Sequence, residues 1–236
     1  MKPVLCLAGG CVALASMIAC SSDNTTEPYH LTVNPANFVA GIDNPYYPLT
    51  PGKRFRYEGE AADGHETNIV VVSNQTYNIL GIACTVVEDT VLVDGDLSEA
   101  TTDWFAQDTD GTVWYMGEAS RSYENGKLAS TEGSWETGKD GALPGVIMYG
   151  APKPGGPYRQ EFLPGVAEDR GQIVATNVTV AVPYGTFTNC IETEEWSDIE
   201  PGIVEHKFYA KNLGVVRAVS VVGEPDDSKL VSVSGP

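Results

Sequence analysis

Residues 171–182 read Gly-Gln-Ile-Val-Ala-Thr-Asn-Val-Thr-Val-Ala-Val, and this stretch decides the fold. Val174, Thr176, Val178, Val180 and Val182 recur at every second position, the period of a strand with one buried face. All five are β-branched, which suits a pleated surface better than a helix. The same period runs outward in both directions. Phe55 and Tyr57 share a face, with Arg54 and Arg56 opposite. Thr112, Trp114 and Met116 alternate with Val113 and Tyr115, and Val204, His206 and Phe208 with Glu205 and Lys207.

Strands are predicted at roughly 53–60, 66–74, 82–93, 98–107, 112–119, 158–163, 171–182, 186–196, 202–210, 213–222 and 228–234. Turn signals fall between them at Asp63-Gly64, Asp94-Gly95, Asp110-Gly111, Asn125-Gly126 and Pro201-Gly202. No segment has the period of an amphipathic helix. The expected class is therefore all-β, a single antiparallel meander of about ten strands. A sheet that wide curls or splits, giving a curved half-barrel, a barrel or a sandwich.

Residues 133–166 break the rhythm. Glycine and proline are dense there, yet Trp135, Leu143, Val146, Ile147, Met148, Tyr149 and Tyr158 are large and apolar. A disordered loop avoids such residues, so this one is expected to pack down across an open end of the sheet or to complete the core.

The first twenty residues, MKPVLCLAGGCVALASMIAC, carry one lysine and then an uncharged run of small and apolar residues. That is an export signal rather than a spanning helix. Ser16-Met17-Ile18-Ala19-Cys20 resembles a lipobox, with Ala19 as the small residue before the cysteine and Met17 departing from the usual leucine. Cys11 is a competitor with too little apolar chain before it. The domain plan is a signal peptide over 1–19, a lipidated Cys20 opening a flexible tether over 20–43, and an all-β domain over 44–236 that begins at Asn44-Pro45-Tyr46-Tyr47-Pro48. The implied address is the cell envelope, held by lipid in a membrane. Ser21 after Cys20 resembles a sorting signal for the outer membrane in bacteria that have two.

Export also sets the redox state. With Cys20 lipidated, Cys84 and Cys190 remain in an oxidising compartment and are expected to pair. Their loop of about a hundred residues would make the bridge worth ~4–5 kcal/mol in the chain-entropy model. The alternative is two separate buried thiols. The chain has 32 acids against 14 bases, a net charge of −18, and its bases are scattered, which excludes a nucleic-acid binder.

The series NPYYPLTPGKRFRYEG, DWFAQDTDGTVWYMGE, STEGSWETGKDGALPG, YRQEFLPGVAEDRG and VPYGTFTNCIETEEW resembles a family of uncharacterised bacterial secreted proteins and lipoproteins over about 44–218. The resemblance implies no activity. More loosely, a lipid-anchored curved sheet is similar to the LolA-like lipoprotein carriers, although those plug the sheet with helices.

The chemistry-bearing residues are few. There is no G-x-S-x-G elbow, no H-x-x-x-H and no C-x-x-C, and no cofactor is implied. Asp108-Thr109-Asp110-Gly111 begins like a calcium loop, with Asp108 and Asp110 as ligands, but runs straight into a strand and also reads as a hairpin turn. His206 is expected in the core with Val204 and Phe208. Glu192 and Glu194 face one way and Glu195 the other; Asp103 and Gln107 share a face with Phe105, and Glu118 with Trp114 and Met116. Three functions follow. The first is a non-enzymatic, membrane-anchored envelope lipoprotein that binds an apolar or amphipathic small molecule, with Trp104, Trp114, Trp135, Tyr149 and His206 as wall residues. The others are a carboxylate-based hydrolase or isomerase, and a calcium-stabilised surface interaction module.

Overall fold

A computed structural model describes residues 29–236. The signal peptide, Cys20 and the first part of the tether lie outside the described residues. The chain forms one antiparallel sheet, with a single 3-10 turn at Pro35–Asn37 and, among the described residues, no helix long and apolar enough to cross a membrane.

Eleven strands supply most of the wall: Arg54–Ala61, Gly64–Ile79, Ile82–Val93, Asp96–Asp108, Val113–Ala119, Leu143–Met148, Asp169–Val182, Gly185–Ser197, Val204–Ala210, Gly214–Val222 and Asp226–Ser234. Six shorter pieces bring the total among the described residues to seventeen, against about ten expected. Consecutive strands pair as a meander, and Asp226–Ser234 pairs back on Arg54–Ala61, so the two ends of the domain join. The sheet thereby nearly closes into a barrel.

The remaining gap lies between Val113–Ala119 and Asp169–Val182. It is filled from the Gly/Pro-rich segment. Leu143–Met148 pairs with Val113–Ala119 on one side and with Glu161–Phe162 on the other, and Tyr158–Arg159 pairs with Asp169–Val182. The segment therefore packs down as part of the barrel wall. Leu143–Met148 escapes a sequence reading because it does not alternate: five of its six residues are buried. Gly145 is required there, since a Cβ would stand 2.2 Å from the backbone carbon of Gln160.

Residues 29–43, read from sequence as the end of the tether, lie against the barrel. Phe38–Val39 pairs with Gln107 and Asp108, and the Tyr29 hydroxyl donates to the Pro144 carbonyl at 2.8 Å. The following segment caps the apolar end of the barrel. Gln107 Oε1 accepts from the backbone N–H groups of Asp43 and Asn44, and Asn44 Nδ2 donates to the Gly111 and Tyr149 carbonyls. Tyr47 then packs edge-on against Phe105 with ring centres 5.4 Å apart.

Two apolar clusters result. The larger fills the barrel interior and includes Phe55, Tyr57, Val70, Phe105, Tyr115, Trp135, Ile173 and Tyr209. The smaller lies on the outer surface and holds Ile79, Ile82, Cys84, Ala106 and Met116 beneath Trp104 and Trp114. This arrangement corrects the expected disulfide. Cys84 belongs to the outer cluster and Cys190 to the inner one, and both are free and buried. Loop length sets what a bridge would contribute; it does not bring two thiols together.

Candidate functional site

The last gap in the barrel leaves a groove. Tyr149 and Tyr158 meet edge-on at the seam, ring centres 5.1 Å apart. On one side of this pair is a hollow of about 240 Å³ beneath the loop 151–156, lined by both tyrosines, Lys153, Pro154 and Ile173. On the other is a wider hollow of about 720 Å³, lined by the same tyrosines with Trp114, Val146, Arg159 and Arg170. Ile173 belongs to the interior cluster, so the smaller hollow reaches down to the barrel core.

Charge around the groove is uneven. Arg159 and Arg170 both contact Asp198, at 2.9 and 2.6 Å, and Arg159 also stands 3.7 Å from Glu168, so two carboxylates offset the two guanidinium charges. Lys153 is exposed and has no ion-pair partner among the described residues. In a chain of charge −18, the groove therefore offers apolar and aromatic walls with one uncompensated cation at the rim.

The interior has the opposite character. Nine acids are buried among the described residues, namely Glu66, Asp89, Glu99, Asp103, Glu118, Glu161, Asp169, Glu195 and Glu205, against one buried base, Lys207. Lys207 Nζ stands 2.9 Å from Glu195 and 3.3 Å from Glu205. Glu195 also accepts from the hydroxyls of Thr193 and Tyr209, at 2.7 and 3.0 Å. Opposite, Asp103 and Glu118 are cross-strand partners, and the Tyr115 hydroxyl lies between them at 2.6 and 3.0 Å. That hydroxyl has one proton to give, so the second contact requires a proton on a carboxyl group.

Burial supplies that proton. It is the largest force on these acids, because a low-dielectric interior disfavours the charged form. Burial pushes Asp103 up to about 7, reinforced by the charges of Glu99 and Glu88 and opposed by the Tyr115 hydrogen bond. It pushes Glu205 up to about 7 and Asp169 up to about 6, in both cases against the pull of Lys207. Asp89, Glu118 and Glu161 are held well above the carboxylate range by burial and by neighbouring acids.

Trp114 and Tyr149 share the wider hollow. Trp104 stacks on Tyr77 on the outer surface, ring centres 4.7 Å apart, and Trp135 packs edge-on against Tyr115 inside. His206 is half-buried on the outer face, with Nδ1 2.7 Å from Glu192 and Nε2 3.5 Å from Glu194. It is not in the core as expected, because its strand turns Glu205, Lys207 and Tyr209 inward instead. Glu118 also leaves its expected face. A register shift beside Gly117 turns it inward, with Tyr115. Asp108 accepts from the backbone N–H groups of Asp110 and Thr112 and, through Oδ2, from the Trp114 indole at 2.8 Å. Its oxygens serve the hairpin turn, and no group of three or more acidic, histidine or cysteine side chains among the described residues is placed to hold a metal ion.

No protein-family model matches the chain, and no curated protein matches it. Two solved structures are similar. One is a Bacteroides fragilis protein described as exported and as having a YMCC-like fold. It has 16% identity, covers 80% of this chain and 99% of its own, and has a TM-score of 0.47. The other is a Parabacteroides distasonis protein described as a lipoprotein, with 12% identity, 80% and 98% coverage and a TM-score of 0.43.

The interior acids set the pH dependence of stability. The folded pKa values of Asp89, Asp103, Glu118, Glu161, Asp169 and Glu205 lie above the unfolded values near 4, so the fold prefers their protonated forms. That contribution is complete below about pH 4 and is lost as pH rises through 6 to 7. The melting temperature at pH 8 is expected to fall at least ~5 °C below that at pH 5. Equal values, or a higher one at pH 8, would contradict the placement of these acids.

Proposed function

We propose that the chain is a non-enzymatic lipoprotein of the bacterial envelope that binds an amphipathic anion in the seam groove. One observation carries this reading: a hollow walled by Tyr149, Tyr158 and Ile173 reaches the apolar core and has the unpaired Lys153 at its mouth. An alkyl chain gains free energy by leaving water for such a wall, at roughly 25 cal/mol per Å². An anionic head group remains at the rim, beside the lysine and still hydrated. Ligand sites are commonly concave, mostly apolar and provided with a few polar groups that fix orientation, and the groove has this form.

The hydrolase reading is less well served. His206 stays on the outer face with Glu192 and Glu194, on the far side of the wall from the Asp103–Tyr115–Glu118 cluster. The anchor reading rests on the export signal and on Cys20 in its lipobox-like setting.

Dodecanoate is the test ligand. Isothermal titration should show saturable binding, weakened about tenfold by Tyr149→Ala and about tenfold by Lys153→Glu, each roughly 1.4 kcal/mol. Dodecanol, which lacks the charge, should bind the wild type more weakly than dodecanoate. Equal binding by wild type and both variants would remove the groove as the site. For the anchor, mass spectrometry of protein extracted from bacterial membranes is expected to find Cys20 as the N-terminal residue, carrying diacylglycerol. An unmodified Cys20 would refute it.

A further inference from the structure

We propose that the outer aromatic face of the barrel, built on Tyr77, Leu80, Trp104 and Trp114, rests on the surface of the lipid bilayer, so that the wider hollow opens beside the lipid. This placement rests on the reading that Cys20 carries the anchor. It does not depend on which amphiphile the groove binds.

A closed barrel needs one apolar core, and this one has a second on its outside. Ile79, Ile82, Cys84, Ala106 and Met116 are buried there beneath Val33, Phe38, Trp104 and Trp114. The cover is itself apolar and only half-buried. Tyr77 stacks on Trp104 and is 40% exposed, and Leu80, at the tip of the hairpin that follows, is 53% exposed. Tryptophan and tyrosine concentrate at membrane surfaces, where the ring leaves water and its polar edge keeps a partner. The rings here have such partners. The Trp114 indole donates to Asp108 and the Tyr77 hydroxyl to Glu136. Lys139 pairs with Glu136 at 2.6 Å, so the acid bonded to Tyr77 brings no uncompensated charge to the lipid.

Position names the occupant as lipid. The chain that leads from the anchor runs over this face: Tyr29 lines the wider hollow, and Val33 and Phe38 pack on the outer cluster. Cys20 precedes Tyr29 by nine residues, so its lipid stands within ~32 Å of the hollow even with that chain fully extended. Trp114 belongs both to the cover of the outer cluster and to the wall of the wider hollow, which makes the aromatic face and the groove continuous. An amphiphile then passes from the bilayer to the groove without crossing open water. The net charge of −18 disfavours an anionic surface, so the lipid that suits this face is zwitterionic.

The test uses the lipidated protein reconstituted on phosphatidylcholine vesicles, part of whose lipid carries bromine near the head group, which quenches indole emission on contact. Flotation with the vesicles reports the anchor, and quenching reports the face. Wild-type emission should be quenched, and the quenched intensity should fall at least ~twofold in Trp104→Phe. Leu80 is exposed at a positive φ of 52°, which aspartate accepts, so Leu80→Asp leaves the core intact. That variant should float as the wild type does, with quenching again reduced at least ~twofold. Val222 is exposed on a strand separated from Asp96–Asp108 by four others, and Val222→Trp should add emission that bromine leaves unquenched. Floating protein without quenching, quenching unchanged in both Trp104→Phe and Leu80→Asp, or equal quenching at Val222→Trp would each overturn the proposal and leave the anchor standing. Protein that does not float would overturn both.

Discussion

An antiparallel sheet of this width cannot leave its edges bare. Unpaired N–H and C=O groups along an exposed edge invite other chains, and closing the sheet removes the exposure. Here one closure is straightforward, because the Arg54–Ala61 and Asp226–Ser234 strands pair along most of their length. The other is made by short pieces. Leu143–Met148, Glu161–Phe162 and Tyr158–Arg159 each contribute a few pairings to span the gap. The wall is therefore least regular where the Gly/Pro-rich segment completes it, and the groove lies at that place. The need to close the barrel and the presence of a hollow have one cause.

A second consequence is the sorting of side chains inside. Closing the barrel buries one face of every strand, whatever it carries. At the capped end that face is apolar, with Phe55, Tyr57, Val70 and Phe105. Toward the other end it carries Asp103, Glu118, Glu161, Asp169 and Glu195. Charges in a low-dielectric interior are tolerated by pairing, as at Lys207, or by holding protons, as the raised values of Asp103, Asp169 and Glu205 indicate.

Much of the fold was legible in the alternation. The strands were placed closely, and the shared inward face of Asp103, Phe105 and Gln107 follows from period two alone. What the alternation missed has local causes. In the 171–182 stretch, register shifts after Ile173, Ala175 and Val178 break the row of valines, and Asn177 takes a positive φ of 62°. Ile173 is buried ahead of the shifts and Val180 after them, although they sit on opposite faces by simple counting. On the strand Val204–Ala210 the expectation was inverted, because a hydropathy pattern reads Glu205 and Lys207 as outward. Only the opposing Glu195, on another strand, makes their burial tolerable. Of the expected aromatic wall, Trp114 and Tyr149 meet in space; Trp104 and Trp135 do not, since a period gives the face of a residue but not which cluster receives it.

The central claim is that the seam both closes the barrel and receives the ligand. Amide hydrogen exchange with and without saturating dodecanoate tests it most directly. The account predicts slowed exchange across residues 143–160, with the amides of the opposite closure, 54–61 and 226–234, unchanged. Slowing confined to that opposite closure, or no change anywhere, would contradict it.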